Sequence, residues 1–121
     1  MDARKLERAE WQTFFDLLSK GLVGKRAEIE VASLALGAQV EAQWLPLLGI
    51  VYDPKDDLVE IALDGLDHLI HKPRELYLAV DDGALASLQV VDDDGTRETV
   101  RWRDPLMLPK PLAPQADAAQ G

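Results

Sequence analysis

The chain has 121 residues, no cysteine, 13 Lys and Arg against 22 Asp and Glu, and a formal charge of −9. A chain of this size buries one modest core, and without sulfur it cannot build a disulfide scaffold, an iron–sulfur cluster, a Cys-ligated zinc or a thiol nucleophile. The charge is uneven: residues 1–26 carry six basic and four acidic side chains, whereas residues 27–104 carry six basic and seventeen acidic. Nucleic-acid affinity rests on Lys and Arg neutralising phosphates, so the acidic body disfavours DNA and RNA and suits basic partners or cations.

No run approaches the ~20 apolar residues of a membrane-spanning helix. Glu7, Arg8 and Glu10 interrupt any apolar leader after Met1. The expectation is a soluble, cytoplasmic protein with no membrane partner.

Along the chain, Trp11, Phe14, Phe15 and Leu18 recur at i, i+3, i+4 and i+7, which predicts an amphipathic helix over residues 8–20, with Gly21 as its stop. From Lys25 the period becomes two. Ala27, Ile29 and Val31 alternate with Arg26, Glu28 and Glu30, and Val40, Ala42 and Trp44 with Gln39, Glu41 and Gln43, giving two antiparallel strands joined around Gly37. Pro46 cannot donate to a ladder and is expected to separate a third strand, Leu47 to Tyr52. Asp53-Pro54-Lys55-Asp56-Asp57 reads as a turn before a strand at Val59, Ile61 and Leu63, ended by Asp64-Gly65.

His68 to His71 then leads through Lys72-Pro73, with Lys72 held extended by the proline, into Leu76, Leu78 and Val80, which face away from Tyr77 and Ala79. Asp82-Gly83 is a hairpin signal before Leu85 to Val91, and Asp92-Asp93-Asp94-Gly95 another before Thr96 to Trp102. Pro105, Pro109, Pro111 and Pro114 mark a proline-rich tail, residues 105–121, largely disordered from about residue 109. The fold expected for the single domain, residues 1–104, is α+β. An N-terminal helix packs on an antiparallel, mostly meander sheet of about six or seven strands, with a small, partly closed β-barrel as the alternative.

Trp11-Gln12-Thr13-Phe14, Leu45-Pro46-Leu47-Leu48-Gly49-Ile50, Tyr52-Asp53-Pro54-Lys55-Asp56-Asp57 and His68-Leu69-Ile70-His71-Lys72-Pro73 form an ordered series. Over about residues 7–103 it resembles a family of short bacterial proteins catalogued as a domain of unknown function. The resemblance implies a bacterial, stand-alone domain and carries over no catalytic residue, cofactor or substrate.

The candidate chemistry is sparse. His68 and His71, with Asp67 beside them, are the candidate metal ligands: on a helix both imidazoles would share a side, whereas a strand sends them to opposite faces, which Leu69-Ile70 and Pro73 favour. Asp53, Asp56 and Asp57, and Asp92 to Asp94, lack the spacing of a calcium loop and read as turn chemistry. Ser19, Ser33 and Ser87 lie in no nucleophile elbow, and no glycine-rich phosphate loop appears. The sequence thus indicates no catalytic residue and no cofactor. It points to a non-catalytic binding or assembly module that meets another protein, or itself, through a sheet edge or an acidic face. The alternative is a small-ligand or divalent-metal site near His68 and His71, with Tyr77 as a candidate contact.

Overall fold

In the computed structural model, residues 2–22, 24–35 and 37–107 are described. They form β1 (Asp2–Leu6), α1 (Arg8–Leu22), β2 (Arg26–Ser33), β3 (Gly37–Asp53), β4 (Leu58–Leu63), β5 (Leu66–His71), β6 (Pro73–Asp81), β7 (Ala84–Asp92) and β8 (Arg97–Met107). One helix packs on an open, wholly antiparallel sheet of eight strands, ordered β1-β6-β7-β8-β2-β3-β4-β5 and not closed into a barrel. The α+β class and the meander runs β2–β5 and β6–β8 are as the alternation requires. The joints that the local pattern does not encode are the β2–β8 pairing and the attachment of β1 to β6.

The helix forms where the apolar spacing places it and buries Trp11, Phe14, Phe15 and Leu18 to 1% exposure or less. It continues through Gly21 to Leu22, and the left-handed residue that ends the segment is Gly24, at φ 87°. Gly21 sits in the last turn of the helix, where a glycine costs less than the roughly 1 kcal/mol of an interior position, and the buried aromatic face outweighs it. Ser19 fastens this face to β3: its hydroxyl donates to the Ile50 carbonyl at 2.6 Å and accepts from the Ile50 amide at 2.9 Å. The helix thereby satisfies a strand backbone that has lost its β2 neighbour.

β3 turns the corner of the molecule. Its first part pairs with β2 as far as Pro46, and from Leu47 it pairs with β4 instead. Pro46 therefore does not divide two strands. It sits where the ladder changes partner, and its carbonyl still accepts from Asp64 N at 2.9 Å. Two register shifts in the β2–β3 ladder and a left-handed Trp44 (φ 53°) break the expected alternation. Ala42 is buried, Val40 is 52% exposed and Trp44 is only partly buried.

β5 and β6 are joined by Lys72 alone. Pro73 does not hold this residue extended: Lys72 is left-handed at φ 52°, fixed by its amide donating to Asp57 O and its carbonyl accepting from Asp93 N, at 2.9 and 3.0 Å. Asp82-Gly83 forms the expected tight hairpin, with both residues at positive φ, 55° and 80°. β8 runs to Met107, pairing Leu106 with Leu85 and Met107 with Ala84, so the strand continues past its expected end at Trp102. The expected disorder from about residue 109 lies outside the described residues.

The core is one cluster between the curled sheet and the helix. It draws Leu6 from β1, the aromatic face of α1, Ile29, Ile50, Ile61, Ile70, Leu76, Leu88 and Val100. β1 contributes Leu6 as its buried hydrophobic, while its neighbours Arg4 and Lys5 are charged.

Candidate functional site

β5 follows strand alternation: Leu66, His68 and Ile70 turn toward the core, whereas Asp67, Leu69 and His71 are exposed on the other face. The two imidazoles are therefore on opposite faces, and one ion would meet one of them. His68 is in hydrogen-bond contact with Glu98 of β8, whose side chain is only 8% exposed. This pair spans from the terminal strand of the sheet to its middle. Asp67 instead lies beside Glu60 on the outer face. Hydrogen bonding to Asp67 and repulsion by its charge raise the Glu60 carboxyl above the usual range.

Alongside β5 opens a cleft of about 420 Å³, lined by Leu69, His71, Lys72, Asp92, Asp93, Asp94 and Glu98. Its lining comes from the outer-face residues Leu69 and His71 of β5, from Lys72, from the β7–β8 turn and from Glu98, with no residue of β4, the strand that pairs with β5. One wall is the β7–β8 turn, where Asp92 Oδ1 accepts from the amides of Asp94 and Thr96 at 2.9 and 3.0 Å. The carboxylates of Asp92, Asp93 and Asp94 offer oxygens within 4.8 Å of one another. Lining side chains thus supply four carboxylates, one ammonium and one imidazole, with no hydroxyl or thiol to serve as a nucleophile. A small-molecule pocket is usually mostly apolar with few polar groups, and this cleft has the opposite balance.

Among the open edges of the described strands are those of β1, the first part of β3 and β5, and they differ in how far they are blunted. β1 is five residues long and carries Arg4 and Lys5, the latter paired with Glu75 at 3.6 Å. The first part of β3 is interrupted by the two register shifts. Short length, charge and bulges all discourage strand addition. β5 pairs with β4 in unbroken register from Leu58↔His71 to Leu63↔Leu66, and among the described residues its other side has no partner strand. It is the most regular of the three edges.

Other candidates fall elsewhere. Tyr77 lies on the outer face of β6, donates to Glu75 at 3.1 Å, and borders a smaller depression of about 190 Å³ with Ala3, Ser87 and Gln89. Asp53 caps its own turn by accepting from Lys55 N at 2.9 Å. Glu98 and Lys72 were not singled out from the sequence. The signal for Glu98 was its phase, two and four residues before the buried Val100 and Trp102, an acid in step with a core-facing row. Lys72 gave none, because its place depends on contacts with Asp57 and Asp93 from distant parts of the chain.

Comparison with known proteins places the chain without adding chemistry. No solved structure matches it. It is 40% identical over 111 residues to a protein of Aquifex aeolicus (strain VF5) named "Uncharacterized protein", an alignment covering 91% of this chain and 100% of that one. The model of the Family of unknown function (DUF5335) matches residues 2–111. With the match running from β1 through the end of β8, the chain belongs to this family.

Proposed function

We propose that this protein is a non-catalytic binding module that takes an extended segment of another protein as an added strand along β5. The observation that carries the reading is the regular, unpartnered edge of β5 lying against a cleft rather than open solvent. In strand addition, main-chain hydrogen bonds supply affinity and the flanking pockets supply choice. Six residues of β5 offer about 20 Å of ladder, enough for a guest of similar length. The charged walls of the cleft, with no hydroxyl or thiol among its lining side chains, fit a binding role better than covalent catalysis of the serine or cysteine type. A bacterial cytoplasm is the setting this reading assumes, and the Aquifex relative supports the first half of it.

The test is selection of random peptides displayed against the full chain, followed by amide hydrogen exchange with a selected peptide bound. Strand addition predicts slowed exchange at alternate residues of Leu66–His71, those whose amides do not already face β4. No enrichment over a blank support, or protection confined to β1 or β3, would overturn the proposal.

A further inference from the structure

Resting on that reading, we infer that the guest of β5 is a basic segment, with Lys or Arg at alternate positions. Strand geometry and charge complementarity meet here. Side chains of an added strand alternate between two faces, so every second one points the same way, toward the cleft or away from it. Those pointing inward meet Asp92, Asp93 and Asp94 on one wall and Glu98 at the base, against Lys72 as the single formal cation of the lining. Glu98 is more than nine-tenths buried with His68 as its partner, so the base of the cleft holds a carboxylate that little solvent reaches. An acidic guest would bring like charges against the Asp92–Asp94 wall and the Glu98 base, and an apolar one would leave the three aspartates without a counter-charge. Leu69, 43% exposed at the cleft margin, gives the aliphatic stem of a lysine or arginine a surface to lie on. The acidic excess of residues 27–104 favours the same guest at longer range.

The probes are two hexapeptides, Lys-Val-Lys-Val-Lys-Val and Glu-Val-Glu-Val-Glu-Val, titrated into the full chain while β5 amides are followed by NMR. The basic peptide is expected to shift Leu66–His71 and to lose about tenfold in affinity between roughly 0.05 and 0.5 M salt. The double variant Asp93→Asn/Asp94→Asn should weaken it about fivefold at low salt, as loss of two exposed charge contacts implies. Asparagine preserves the turn chemistry of these positions, and the salt titration of the unaltered chain gives the same information if the variant folds poorly. Equal binding of both peptides, or no response to salt and to the variant, would remove the charge preference while leaving strand addition intact. If neither hexapeptide binds, the basic guest is overturned, and the display selection decides separately whether β5 takes any strand.

Discussion

Arg8 joins separate parts of the chain through one guanidinium. It donates to Tyr52 Oη at 2.8 Å, to Asp57 Oδ1 at 3.1 Å and to the Pro73 carbonyl at 2.6 Å, and its head lies 4.5 Å from the centre of the Trp11 ring. Both members of the Arg8–Asp57 pair are nearly half exposed, so that contact contributes little. The hydrogen bonds to Tyr52 and Pro73 matter more. Arg8→Ala is expected to lower the unfolding free energy by about 1–2 kcal/mol, measured by urea denaturation. Tyr52 makes the cluster sensitive to alkali. Burial, and then its hydrogen bond to Asp57, raise the phenol above its ordinary 10.0. A phenol that holds its proton more tightly in the folded state contributes stability present below the unfolded value and lost as pH rises through the folded one. Stability should therefore fall above about pH 10, and Tyr52→Phe should flatten that limb. A wild-type curve already flat there would contradict the assignment.

Among the elements, α1 shows how local pattern and tertiary demand divide the work. The spacing of Trp11, Phe14, Phe15 and Leu18 specifies both the helix and its buried face, because 3.6-residue periodicity has one geometric solution. Phe15→Ala should cost about 3–5 kcal/mol, whereas Gln12→Ala on the exposed face should stay within about 0.5 kcal/mol, both read from denaturant midpoints. β1 was illegible for the converse reason. Leu6 is the one core residue seen on it, and its pairing partner, β6, lies some seventy residues away. β3 shows a third case: the proline was visible and its effect misjudged, since its missing N–H matters only if the same neighbour pairs along the whole strand. The candidate site was half visible. The alternation that separates His68 from His71 could be read from the residues, but the meeting of β5 with Glu98 and the Asp92–Asp94 turn depends on the curl of the whole sheet.

For the whole molecule, the long-range joints set the time scale of folding. Ala27 pairs with Trp102, and β1 pairs with β6, so large loops must close before the sheet is complete. Refolding is expected on the millisecond-to-second scale by stopped-flow fluorescence of the tryptophans, and a microsecond relaxation would be inconsistent with this topology. The Lys72 joint has a consequence for binding kinetics. With its amide and carbonyl both engaged, it holds β5 at a set distance from the β7–β8 turn, so the edge lacks a neighbour without lacking order. Fixing six loose backbone residues would cost about 6–12 kcal/mol, a loss already incurred during folding. On the proposed strand addition, only the guest would have to give up conformational freedom on arrival. Association should then follow a single bimolecular phase whose rate rises linearly with peptide concentration, with no slower step from the protein having to open first.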